Sequence, residues 1–176
     1  MPDAVPIIYS FFGVGSGSLG ASPFNHAGFV ITIFTNTGSI YTNPNLYPTP
    51  MLQNTCPQAT ATIAIAGLQS AVIGFGLTIT ALNNTHSNLF QLSAGVAPDV
   101  LCGVASPALS GYGLDTTIGP VFGTGSVSQQ PYPTTAGNLL FLSASVAGFQ
   151  ATLVALAKVM PPGGLHVISP GGAAAS

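Results

Sequence analysis

The feature that most constrains the fold is a series of short apolar runs broken by glycine, proline and asparagine. In "ATATIAIAG" (residues 59–67), Ile63 and Ile65 fall on one side, whereas Thr60 and Thr62 fall on the other. Side chains of a strand alternate between two faces, so this period of two predicts a half-buried β-strand. Similar runs occur at residues 6–14, 27–35, 71–82, 138–146 and 148–156.

No window longer than about one turn has helical periodicity, and turn residues separate the runs every eight to twelve positions, roughly the spacing of a sandwich. This pattern predicts an all-β fold, an antiparallel β-sandwich that is jelly-roll-like. The chain of 176 residues is long enough to bury a core of its own. We expect one domain over residues 1–160, followed by a C-terminal tail over residues 161–176 that is flexible or bound to a partner.

Charge is almost absent from this chain. Its charged side chains are Asp3, Asp99, Asp115 and Lys158, or 2% of the residues, against about 25% in an ordinary soluble domain. One lysine and no arginine cannot neutralise a nucleic-acid backbone, so we expect no nucleic-acid partner. Low charge also leaves little repulsion against self-association and predicts a stability that depends weakly on pH.

The motifs of common enzymes are missing or lack their context. "GSGSLG" (residues 15–20) matches the dinucleotide fingerprint GxGxxG, but no helical pattern and no nearby acid follow, so a hairpin loop is the better prediction. The sequence has no GxSxG motif and no glutamate, and His26, His86 and His166 are scattered. We therefore expect neither an enzyme nor a bound cofactor or metal.

Two aspartates stand out because acids are so rare. Asp115 lies in "GLDTTIG", where an aspartate followed by two threonines suits an Asx-turn whose carboxylate accepts backbone N–H bonds. Asp99 follows Pro98 and is also a turn candidate. A weak calcium site that uses both carboxylates is the alternative, and it would need several further oxygen ligands.

Cys56 and Cys102 are the two cysteines of the chain, separated too widely for a redox or zinc motif. In an extracellular protein they are candidates for a disulfide, which could stabilise the fold by roughly 3–4 kcal/mol. Two buried thiols are the alternative, and geometry decides between them.

Two tyrosines in proline-rich segments, Tyr47 and Tyr132, are candidates for exposed contacts with a sugar ring or a protein partner. The sequence contains no tryptophan, which weakens the carbohydrate interpretation. These residues are therefore candidate ligand or interface aromatics.

Neither a leader nor a membrane span is predicted. "MPDAVPIIYSFFGVG" lacks a basic segment and resembles a strand, so we expect no signal peptide there. Residues 139–157 are long and apolar enough to raise the question of a transmembrane helix. Their glycine, glutamine and serines favour two short strands instead.

Four stretches together resemble the β-rich domain of bacterial PEP-CTERM-type exported proteins. They are "YSFFGVGSGSLGASPFNHAGFVIT", "ATATIAIAGLQSAV", "SPALSGYGLDTTIGPVFGTG" and "YPTTAGNLLFLSASVAGFQATL", in the expected order over about residues 5–155. The resemblance implies a β-sandwich of an exported, surface-associated or biofilm-matrix protein and brings no catalytic residues. The sorting motif Pro-Glu-Pro, with its hydrophobic helix and basic tail, does not occur in the sequence.

Together these observations predict an extracellular or cell-surface structural protein that assembles with itself into a fibre or matrix. The first strand (Ile7 to Val14) and the segment Leu165 to Ile168 are the candidates for pairing with a neighbouring copy's sheet edge. The alternative is a monomeric surface module that binds a glycan or a protein.

Overall fold

The computed structural model of the chain describes residues 4–43, 51–56, 61–74, 76–84, 89–96 and 99–155. This part of the chain forms antiparallel strands, with two short 3-10 turns at Thr37–Ser39 and Pro107–Leu109. The strands are β1 (Pro6–Leu19), β2 (Ser22–Asn36), β3 (Ile40–Asn43), β4 (Met51–Cys56), β5 (Ala61–Ile65), β6 (Ala71–Val72), β7 (Leu77–Asn84), β8 (Leu89–Val96), β9 (Asp99–Ala105), β10 (Ile118–Phe122), β11 (Thr124–Val127), β12 (Tyr132–Thr134) and β13 (Gly137–Leu153).

The strands form two sheets. Sheet A has the order β10-β13-β1-β2-β5-β6, with β12 also paired to β13, and sheet B has the order β11-β9-β8-β7-β4-β3. Alternate side chains from both sheets meet in one apolar core, as the period of two in β5 illustrates: Ala61, Ile63 and Ile65 are buried. The predicted all-β antiparallel sandwich is therefore confirmed.

Strand β1 lies in the interior of sheet A, between β13 and β2. It pairs with β13 from Ile7 to Leu19, and Ile7, Tyr9 and Phe11 are completely buried. The expectation that this strand pairs with another copy is wrong, because both of its edges already carry hydrogen bonds within the molecule. Residues 165–168 lie outside the described residues.

Bulges explain why "GSGSLG" is not the predicted hairpin loop. Residues 15–19 continue β1, and the turn to β2 comes at Gly20 and Ala21. Ser16 faces a bulge in β2: its hydroxyl accepts the backbone N–H of His26 at 2.9 Å and donates to Asn25 Oδ1 at 3.0 Å. His26 lies within β2, and its φ of 46° belongs to the bulge in this strand.

Two further segments differ from their sequence interpretation. The run 71–82 is not one strand, since β6 belongs to sheet A and β7 to sheet B. Within residues 139–157, positions 139–153 belong to the single strand β13 instead of two strands. Across the described ranges, no helix is long and apolar enough to cross a membrane. The predicted tail 161–176 lies outside the described residues.

Candidate functional site

Residues 106–117, the loop between β9 and β10, are held by hydrogen bonds that involve side chains of the sandwich and of the loop itself. Pro107 begins a short 3-10 turn, and the Ser106 hydroxyl accepts the N–H of Ala108 at 3.4 Å. Leu109 and Leu114 are buried under the loop. The loop is therefore fixed to the core by its own apolar side chains rather than left open as a binding loop.

Two tyrosine hydroxyls donate hydrogen bonds to backbone carbonyls of this loop. The Tyr9 hydroxyl donates to the carbonyl of Leu114 at 2.5 Å, and the Tyr112 hydroxyl donates to the carbonyl of Thr116 at 2.9 Å. Leu114 has a φ of 65°, an uncommon conformation for a leucine that the buried contacts maintain. The bond from Tyr9 satisfies the carbonyl of a buried residue, which would otherwise lose its hydration without compensation.

Asp115 is exposed between these two anchored carbonyls. Among the described residues, no hydrogen bond from a backbone N–H reaches its carboxylate, so the predicted Asx-turn is not formed. Asp99 is the first residue of β9, so it belongs to a strand and not to the predicted turn, and its side chain lies outside the described part. In the described ranges no group of three or more His, Cys, Asp or Glu side chains could hold a metal ion.

The local environment changes the acidity of Tyr112. Burial raises the pKa of this phenol well above its usual value of 10.0, and the nearby Tyr9 and Asp115 raise the pKa further. The reason is that a phenolate here would lose hydration beside a second phenol and a carboxylate. The Tyr112 phenol therefore keeps its proton, and its hydrogen bond to the loop, to a higher pH than a free tyrosine would.

This shift predicts a loss of stability in alkali. Above pH 10 the unfolded chain releases the Tyr112 proton while the folded protein retains it, so the free energy of unfolding falls as pH rises. Tyr112→Phe removes one hydrogen bond, at about 1 kcal/mol near neutral pH, and we expect the deficit to shrink above pH 10. Urea unfolding of both proteins from neutral pH to above pH 10 measures this deficit in the free energy of unfolding. Tyr41→Phe, at an exposed tyrosine, is the control. A constant deficit would contradict the assignment.

The sheet order does not bring the two cysteines together. Cys102 is buried on β9, whereas Cys56 ends β4, three strand positions away in sheet B. Three interstrand spacings are about 14 Å, whereas disulfide-bonded residues have Cα atoms at most about 7 Å apart. The arrangement favours two separate thiol positions over a bond between Cys56 and Cys102.

The structure describes one of the two candidate aromatic residues, Tyr132. Tyr132 lies on β12 opposite Leu139 and is only 5% exposed, so the expectation of an exposed loop tyrosine is wrong. Its ring faces inward because β12 pairs with the first residues of β13 and covers the core there. Tyr47 lies outside the described residues. A glycan contact through Tyr132 would require the ring to leave the core.

The outer face of sheet A carries an apolar groove that no motif of the sequence indicates. It has a volume of about 550 Å³ and is lined by Phe12, Val14, Val30, Ile65 and Phe122 around Gly28. All of its lining residues are apolar or glycine, so it offers no general acid, nucleophile or ligand for a metal. The signal was available in β2, where the outward positions Val30 and Phe34 are as apolar as the inward ones.

No family model, curated protein sequence or solved structure matches this chain. The resemblance to PEP-CTERM-type exported proteins therefore stays a prediction, as do the extracellular location and the expectation that the chain is not an enzyme. The all-β sandwich, the anchored loop and the apolar groove are the features from which function has to be argued.

Proposed function

We propose that this chain is an exported structural protein that assembles with itself into a fibre or matrix outside the cell. The observation that carries the proposal is an almost uncharged chain whose large apolar side chains stand exposed on both sheets. The most exposed are Phe34, Tyr41, Val100, Phe122 and Leu142. Exposed apolar surface marks a site of association where it is contiguous, and it is contiguous around the groove lined by Phe12, Val30 and Phe122.

The charge balance supports the same function. The formal net charge is −2 for 176 residues, so electrostatic repulsion between copies is weak even at low ionic strength. With the three carboxylic acids protonated and the three histidines charged, the formal net charge is +4 against −2 at pH 7, which is still low for 176 residues. Such a subunit suits an extracellular environment whose pH is not controlled.

Negative-stain electron microscopy of the purified chain, at neutral and acidic pH, tests the proposal. We expect filaments or regular aggregates at both pH values, since neither state carries enough charge to oppose association. Sedimentation velocity at increasing protein concentration provides a second, independent measurement. Dispersed monomers at every concentration and at both pH values would refute the structural role and favour the monomeric binding module.

A further inference from the structure

A row of uncharged polar side chains crosses the outer face of sheet A. This polar row, defined here as Gln150, Ser10, Thr32 and Thr62, has one member on each of β13, β1, β2 and β5. Ser10 pairs with Gln150 on one side and with Thr32 on the other, and Thr32 pairs with Thr62. Side chains of directly paired residues share one face of a sheet, and four strands about 4.8 Å apart make a row about 14 Å long.

The hydroxyl of Ser10 is the recessed member of the polar row. Tyr9 and Phe11, the neighbours of Ser10 in β1, are completely buried in the core, so Ser10 points to the outer face. Ser10 is nevertheless only 7% exposed. Across the described ranges, no group of the protein forms a hydrogen bond with its hydroxyl. Polar groups buried to this degree normally have a partner, so a ligand with a hydroxyl or carbonyl at this point would gain a hydrogen bond.

Apolar side chains flank the polar row on both sides. Phe12 and Val30, which are cross-strand partners, lie two residues from the row in one direction. Ile8 and Phe34, also cross-strand partners, lie two residues away in the other direction. Val30 is 39% exposed and Phe34 is 43% exposed. Two residues span about 7 Å along a strand, so a ligand that covers the polar row also contacts apolar side chains on both sides.

This alternation of polar and apolar groups selects the class of ligand. A purely apolar partner would bury the polar row without hydrogen bonds, which costs free energy for each polar group. An ionic ligand would gain no counter-charge, because the described strands of sheet A contain no Asp, Glu, Lys or Arg. A neutral sugar meets both requirements, since its hydroxyls donate and accept hydrogen bonds and the C–H faces of its ring pack on apolar side chains.

We propose that the polar row and its apolar flanks bind a neutral oligosaccharide that lies across β13, β1, β2 and β5. The polar row hydrogen-bonds the sugar hydroxyls, and Phe12 and Phe34 pack against the ring faces. A few neutral hydrogen bonds on an open surface give weak binding, with a Kd of roughly 0.1–1 mM. This binding is a further function, independent of the proposed self-assembly.

Titration calorimetry of the full chain with β-1,4-linked hexasaccharides of glucose, mannose, galactose and xylose tests the site. These chains are uncharged and extended, which matches a straight row across a sheet. We expect saturable binding of at least one of the four. Absence of binding to all four at millimolar concentration would overturn the proposal.

Ser10→Ala separates a role in binding from a role in folding. Because the Ser10 hydroxyl has no partner among the described residues, we expect a Tm equal to that of the wild type or higher. The affinity for the hexasaccharide is expected to fall about fivefold, as is that of Thr32→Val, which keeps the side-chain shape. Ser126→Ala, at an exposed serine on β11 of sheet B, is the matched control with unchanged affinity. Unchanged affinity of both Ser10→Ala and Thr32→Val would refute the site.

Sedimentation velocity of the same variants distinguishes a sugar from a second copy of the chain. We expect Ser10→Ala and Thr32→Val to associate like the wild type. Weaker self-association of both variants, without binding of any hexasaccharide, would assign the polar row to a contact between copies and refute the sugar site. A monomeric wild type that binds a hexasaccharide would refute the proposed self-assembly and leave the sugar site intact.

Discussion

Gly17→Ala is expected to prevent folding, or to lower the free energy of unfolding by about 3 kcal/mol or more. Gly17 lies in β1 where β13 crosses closest, directly after a bulge in that pairing. A Cβ at this position would overlap the carbonyl oxygen of Leu140 and lie 3.0 Å from the Cα of Phe141. Both obstacles are backbone atoms, so no side-chain rotation relieves the clash and the two strands must separate.

Gly28→Ala is the matched control for this prediction. Gly28 is also a strand glycine, on the neighbouring β2, but a Cβ there meets nothing within 4 Å. Alanine restricts the unfolded chain, so we expect a stability equal to the wild type or higher by up to about 1 kcal/mol. Denaturant unfolding, followed by circular dichroism, measures both variants. Equal effects of the two substitutions would show that the pairing of β1 with β13 is misassigned at Gly17.

Phe149→Ala is expected to lower the free energy of unfolding by about 3–5 kcal/mol, a large part of the stability of a typical domain. The Phe149 ring is completely buried, with centroids 5.1 Å from Phe11, 6.0 Å from Tyr112 and 6.1 Å from Tyr9. Alanine leaves a cavity among three rings that the surrounding strands cannot close, because their register is fixed by hydrogen bonds.

The same substitution is expected to loosen the loop of residues 106–117. Tyr9 and Tyr112 both contact Phe149 and both donate hydrogen bonds to loop carbonyls. We therefore expect Phe149→Ala to accelerate hydrogen exchange over the wild-type rate, and to do so more in this loop than in sheet B. Phe122→Ala is the control, because that ring is 67% exposed and its loss should cost about 1 kcal/mol or less. Unaltered exchange in the loop would count against the anchoring role of the tyrosines.

Local alternation was sufficient to predict the strands that have one buried face. In β5 the residues Ala61, Ile63 and Ile65 point inward, as the period of two requires. The run 71–82 suggests one strand because its apolar character is nearly continuous. Periodicity cannot reveal that the chain leaves sheet A after Val72 and enters sheet B at Leu77, since both strands are apolar.

Contacts that are distant in sequence account for the remaining differences. The glycines of "GSGSLG" suggest a turn, yet Gly15 and Gly17 are required by the close approach of Phe141 and Leu140 on β13. Tyr132 was expected on the surface because prolines flank it, whereas its pairing with Leu139 turns the ring into the core. The outer groove depends on five strands together, so no single stretch of sequence contains it.

The place of β1 beside β13 has a consequence for how the polypeptide acquires its structure. The two strands that meet along the middle of sheet A come from opposite ends of the described sequence. Contacts between such distant segments form slowly, because a long loop must close before they contribute. During synthesis β1 can pair with β2 early, but the other edge of β1 stays unpaired until residues 137–153 have been made. The nascent polypeptide is thus vulnerable to misassembly until β13 has been made.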